Sequence, residues 1–235
     1  MRKQLLWIIL GLFLVTSSIV HAGDTSTSGT LASAMITDVR AYLDETTASF
    51  WTDTELLQWL NDGMVDLAAK THCTETQEVV TLVGGTTEYA VTANYIKIKA
   101  AIYRDSTLVE KGLIKGNPYS IGNVQNVGEP AYWYEHGGKV GFYPVLAALS
   151  GSGTTVEVVR LFLVERPAAI ASGTTVSTPG VYDRALTYYI LAQAYLKDKQ
   201  MVKATHMMEM YHKEIALYRE DFQQFEQKRT QEVIK

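Results

Sequence analysis

The sequence has one cysteine, five prolines, and 21 Lys and Arg against 25 Asp and Glu. A single cysteine, Cys73, excludes an internal disulfide framework and any cysteine-rich zinc site. The shortage of basic residues, with a formal net charge of −4, argues against a surface that grips nucleic acid, which needs clustered Lys and Arg. Signatures of chemistry are missing too. There is no Gly-x-Gly-x-x-Gly, no phosphate loop ending in Gly-Lys-Ser/Thr, no His-Glu-x-x-His and no Gly-x-Ser-x-Gly. Gly151-Ser152-Gly153 lacks the strand–turn–helix frame of an activated nucleophile and reads as a flexible turn. His206 and His212 lie six apart, about 600° around a helix, so they do not share a face as metal ligands would. His136 beside Gly137 reads as a turn residue. His72 and Cys73 are adjacent, so their side chains diverge. Asp44, Glu45, Asp62, Asp66, Glu209 and Glu214 are scattered over polar helix faces. The expectation is a protein with no catalytic residue, no metal ligand and no cofactor, and hence not an enzyme.

The chain is 235 residues long and 47% hydrophobic, which is ordinary for a globular fold of one domain or two small ones. Residues 1–22 have the form of a secretory leader. Arg2 and Lys3 precede an apolar run from Leu5 to Val20, and Val20-His21-Ala22 is a small-x-small cleavage pattern. Residues 23–30 are small and polar and read as a linker.

Residues 31–76 read as two helices. Leu31, Met35, Val39 and Leu43 recur every four positions, with Ser28 or Thr30 as the expected cap. Thr52-Asp53-Thr54-Glu55 is a capping box, and Leu56, Leu57, Leu60, Met64 and Leu67 follow it, which predicts a helix over 53–70. Gly63 inside that helix allows another helix to pack closely, and Cys73 is expected as a small buried hydrophobe at its end. Over 77–166 the period changes to that of strands. Val79, Thr81 and Val83 alternate, as do Ile96, Ile98, Ala100 and Ile102. A hairpin is predicted from Ala131 to Tyr143 around Gly137-Gly138, and a further strand over 156–164. Tyr132, Trp133 and Tyr134 place aromatics on both faces of that hairpin, either as core or as an interface.

Residues 167–235 read as two more helices, Tyr182–Lys197 and a long one over 201–228. The predicted fold class is therefore α+β, a helical bundle with an inserted antiparallel β subdomain. Along the last helix Met201, Ala204, Met208, Tyr211, Ile215, Tyr218, Phe222 and Phe225 alternate steps of three and four, a heptad stripe. The stripe is longer than the helix before it. Its members Met208, Tyr211, Ile215, Tyr218, Phe222 and Phe225 are therefore the candidate interface with another subunit or a portal protein. The alternative is that the first two helices fold over them and complete a bundle.

The order of elements, together with four stretches of sequence, resembles the head-to-tail adaptor (connector) proteins of short-tailed bacteriophages. The first stretch runs Phe50-Trp51-Thr52-Asp53-Thr54-Glu55-Leu56-Leu57-Gln58-Trp59-Leu60-Asn61. The second is Glu88-Tyr89 leading into Tyr95-Ile96-Lys97-Ile98. The third goes from Gly128-Glu129-Pro130-Ala131-Tyr132 to Val140-Gly141-Phe142-Tyr143-Pro144. The last goes from Tyr182-Asp183-Arg184-Ala185-Leu186 to Ala194-Tyr195-Leu196-Lys197-Asp198. The resemblance implies a structural virion protein assembled in the host cytoplasm. Its expected partners are neighbouring adaptor subunits in a dodecameric ring, a portal protein above and a tail or nozzle protein below, with DNA passing through the lumen without being read. The leader supports a different reading, an exported binding or adhesion module of a bacterial cell without catalytic activity.

Overall fold

The computed structural model describes residues 28–117, 126–147 and 157–233, with side chains as far as Leu217. The leader and Ser152 lie outside the described residues. Four helices, α1 (Ala32–Tyr42), α2 (Asp53–Thr71), α3 (Asp183–Lys197) and α4 (Met201–Val233), stand beside one seven-stranded sheet. The strands are β1 (Glu75–Thr81), β2 (Glu88–Ala90), β3 (Tyr95–Arg104), β4 (Glu110–Lys115), β5 (Tyr132–His136), β6 (Lys139–Tyr143) and β7 (Val158–Glu165). Their spatial order is β1-β7-β3-β4-β5-β6-β2.

This corrects the expected fold class. The protein is not a helical bundle carrying a small antiparallel insert. The sheet is a principal layer with its own core, built on Ile98, Tyr103, Trp133, Phe142, Leu161 and Leu163. Nor is it wholly antiparallel, because β4 and β5 pair in parallel. The sheet is also curled. Glu78 on the edge strand β1 accepts from the Thr92 amide at 2.9 Å and the Ala93 amide at 3.0 Å, just beyond the opposite edge strand β2. Burial opposes the charge on Glu78, but these amides outweigh it and hold the carboxyl below its usual range.

The helical core gathers Met35, Ile36, Val39, Trp51, Leu56, Leu60, Met64, Leu67, Leu186, Ile190 and Tyr211. The capping box of α2 forms as the sequence predicts: the Thr52 hydroxyl accepts from the Glu55 amide and the Glu55 carboxylate accepts from the Thr52 amide. Gly63 is required by α3, since a Cβ there would sit 2.9 Å from Cδ1 of Tyr189. The cap expected for α1 does not form. Its N-cap is Leu31, with no side-chain bond. The Ser28 and Thr30 hydroxyls instead donate to one carboxylate oxygen of Asp183, at 2.7 and 2.6 Å, and tie the start of α1 to the start of α3. Backbone bonds from Ser28 to Thr178, Val176 to Thr30, Ala32 to Thr174 and Ser33 to Ser172 complete this ribbon.

One expected strand face is inverted and another changes side partway along. In β1 and the two residues after it, the side chains turned to the core are Val80 and Leu82, while Val79 and Val83 are exposed. In β3 the register against β7 slips between Ile98 and Ala100, so the buried set passes from Ile98 to Ala101 and Tyr103. One extra residue in a strand moves every later side chain to the other face.

Candidate assembly interface

The α3–α4 hairpin organises the exposed end of the helical half. At its turn Lys199 holds φ 59°, the left-handed position that ends many helices. The amides of Lys199 and Gln200 donate back to Leu196 and Tyr195 at 3.1 and 2.9 Å. Beside the turn, Lys197 reaches α2 and the segment before it. Its ammonium lies 2.7 Å from the Glu55 carboxylate and 2.6 Å from the Phe50 carbonyl, and it sits 4.7 Å from the centre of the Phe50 ring. That hydrogen bond from Lys197, with the Thr52 amide and hydroxyl, pulls the Glu55 carboxyl down to about 2.

Phe50 stands edge-on to Trp51 at 5.0 Å, and the Trp51 indole donates to the Ala194 carbonyl at 3.1 Å. Arg40, itself buried, fixes the same segment from behind, donating at 2.7 Å to the Trp51 carbonyl and at 2.6 Å to Asp53. A rigidly held Phe50 is nevertheless 46% exposed, and at this end of the hairpin Leu196 is 41%, Met201 61% and Val202 86% exposed.

Farther along α4 the near part of the heptad stripe belongs to the chain's own core. Tyr211 and Ile215 are buried, and Met208 is half-buried against the same cluster. The Tyr211 hydroxyl donates to Asp66 at 2.6 Å, and its ring meets Tyr189 edge-on at 5.3 Å. Burial, and then the bond to Asp66, raise the Tyr211 hydroxyl well above the ordinary tyrosine range. Arg184 and Glu214 approach to 3.5 Å, which sets residue 214 beside the first turn of α3. From there α4 continues to Val233. It has 33 residues, roughly 50 Å, against 15 residues and roughly 22 Å for α3. The elements packed substantially on α4 are α3 and α2. Tyr218, Phe222 and Phe225 fall on this outer half and lie outside the described side chains.

Thus Met208, Tyr211 and Ile215 are brought together by this chain's own helices, while the platform at the opposite end was not foreseen. Met201 counted as a stripe member because its spacing fits, but α3 has already ended at Lys197 and leaves it uncovered. His206 and His212 are exposed and His136 sits at the β5–β6 turn. Burial pushes the half-buried Cys73 thiol up, which disfavours the reactive thiolate. Among the described residues no three His, Cys, Asp or Glu side chains converge as metal ligands would.

The described fold has two cores, a last helix far longer than its partner, and exposed apolar side chains at the hairpin turn. The profile of the SU10 adaptor protein family matches residues 30–232, and the chain belongs to that family. It is accordingly a bacteriophage adaptor, a structural component of the virion. No curated protein sequence matches the chain.

Proposed function

We propose that the chain is a head-to-tail adaptor that assembles as a ring, dodecameric as in the sequence-based expectation, beneath a portal protein in the host cytoplasm. The ring links capsid to tail and lets DNA pass through its lumen. The observation that carries this reading is the outer half of α4, which runs on past the start of α3. Fully burying an apolar side chain is worth roughly 1.5–3 kcal/mol. The sequence places Tyr218, Phe222 and Phe225 at helical spacing on that half, so a partner surface there is strongly favoured. The formal charge of −4 suits a channel that does not grip DNA.

The test is to mix the full chain with purified portal and to measure particle mass and shape by mass photometry and negative-stain microscopy. A ring of adaptor copies on the portal is the expected result. A chain that stays monomeric and leaves the portal bare overturns it. Changing Tyr218, Phe222 and Phe225 together to Ser is expected to leave the melting of the isolated chain intact and to abolish ring formation. Loss of the melting transition would assign the stripe to the core instead.

A further inference from the structure

We propose that neighbouring copies join side to side, the outward face of α1 on one copy lying against a basic line along the first half of α4 on the next. This rests on the ring reading above and names the surfaces that make it.

Both faces follow from helical spacing. In α1 the buried side chains are Ala32, Met35, Ile36, Val39 and Arg40. The opposite side carries Leu31, Ala34, Asp38, Ala41 and Tyr42, all exposed. In α4, Ala204, Tyr211, Glu214 and Ile215 are buried. Lys203, His206, Met210, Lys213 and Leu217 run in steps of three and four along its outward half, exposed except for the half-buried Met210. Each line mixes apolar side chains with charge of one sign. Ala34 and Ala41 keep the α1 face low enough for a second helix to approach.

Charge selects the occupant. Asp38 is the charge on the α1 face. The one base of that helix, Arg40, is buried on the other side and bound to Asp53 and the Trp51 carbonyl. Asp44 extends the acidic end, while Glu45 is turned back to the Ser49 and Trp51 amides. The α4 line has Lys203 and Lys213 and no acid. Glu209 falls on the adjoining line, and Glu214 is buried against Arg184. The Lys203 ammonium stands 5.2 Å from the centre of the Tyr195 ring, which orients it without neutralising it. Such complementarity fixes register, and α1 on α1 or α4 on α4 would oppose like charges. Placement selects the symmetry. α1 and α4 each pack on α2 and α3 and share no substantial contact with one another. They stand across the α2–α3 pair, so their outward faces look away from each other. A contact between two different surfaces is heterologous, and it closes into a ring where a contact of like with like would stop at a dimer.

The test uses the full chain assembled with purified portal, with half of the copies labelled with heavy nitrogen so that links between copies are told from links within one. A carbodiimide joins a carboxylate to an amine in contact without a spacer. It is expected to link Asp38 or Asp44 to Lys203 or Lys213 between copies, in the ring and not in the free chain. In parallel, Asp38→Lys with Asp44→Asn is expected to leave melting unchanged and to raise the concentration needed for half-assembly roughly tenfold. Asparagine suits the left-handed φ of 55° at position 44. Lys203→Glu with Lys213→Glu should weaken assembly equally, and combining all four should restore it. Rings without these links between copies, or rings that form normally in both paired variants, overturn this inference and leave the ring reading standing. Links from Asp38 to the portal also overturn it. A chain that never assembles fails the ring reading and this inference with it.

Discussion

In the helical half, buried and half-buried polar side chains cross between elements: Arg40 from α1 to the start of α2, Tyr211 from α4 to α2, and Ser28 and Thr30 from the chain's first described residues to α3. In the sheet the ion pairs lie outside. Lys99–Glu75, Lys115–Glu135 and Arg160–Glu110 join strands, and Lys111–Glu129 ties β4 to the segment before β5, all on exposed or partly exposed side chains around an apolar interior. The difference follows from the backbone. Strands are aligned by their own ladder of hydrogen bonds, so side-chain pairs add little. Helices satisfy their backbones internally, and their relative positions must be set by side chains. The helical half, which carries the proposed contacts, is therefore the half whose geometry depends more on individual polar residues, although Glu78 and Tyr103–Glu157 make such links in the sheet.

The largest expected effect tests the apolar half of this contrast. Trp133 is 2% exposed in the sheet core. Trp133→Ala is expected to cost about 3–5 kcal/mol in urea unfolding. Hydrogen exchange should rise first in the sheet amides. Equal and simultaneous loss of protection in α2 and α3 would mean that the two cores unfold as one and that the contrast has no thermodynamic counterpart.

Next comes the polar half. Arg40→Met keeps the bulk of the side chain and removes the bonds to the Trp51 carbonyl and Asp53. The expected cost is about 2–3 kcal/mol, because the buried carbonyl loses its donor. The Trp51 fluorescence should change with it, since the segment it anchors loosens. A variant with wild-type stability would show that the arginine merely fills space.

The third effect is a pH dependence. Glu55 has a lower pKa folded than unfolded, so the Glu55–Lys197 contact stabilises the fold fully above pH 4.5, the ordinary value for Glu. That contribution is lost as the pH falls from there toward 2. The urea midpoint of the native chain should therefore fall more steeply over this range than that of Glu55→Gln. Parallel curves would remove Glu55 from the account. The smallest effect belongs to the outer face of the sheet. Arg160→Ala breaks its pair with Glu110, 3.1 Å long, and is expected to change stability by less than about 0.5 kcal/mol.

Local signals were legible where one segment carries the whole cause. Thr52 and Glu55 cap α2 from within four residues, and Gly137-Gly138 turn the β5–β6 hairpin with both φ values positive. The signals failed where the cause is distant. β4 reads Glu-Lys-Gly-Leu-Ile-Lys, with Leu113 alone buried, and it is a strand because β3 and β5 flank it. Missing it made the sheet seem an appendage. The bulge in β3 is equally invisible, since its alternation is perfect in sequence and broken by pairing with β7. At the proposed assembly surface, the sequence placed the end of α3 at Lys197, where the structure has it, but heptad spacing alone does not show which stripe members α3 covers. It therefore could not separate Tyr211, which α2 and α3 cover, from Met201, which nothing in the helical core covers.

The ribbon that joins Ser28 to Asp183 spans 155 positions of sequence. On the ribosome those residues are made in order, at about 5–20 per second, so Ser28 and Thr30 wait roughly 8–30 s for their acceptor. The start of α1 has no side-chain cap of its own to hold it meanwhile. The first described segment of this protein is thus among the last to settle, and the α3 N-terminus that receives it also marks where α4 leaves the body. Docking of this first described segment and exposure of the proposed assembly arm are completed at the same point, after most of the polypeptide has been synthesised.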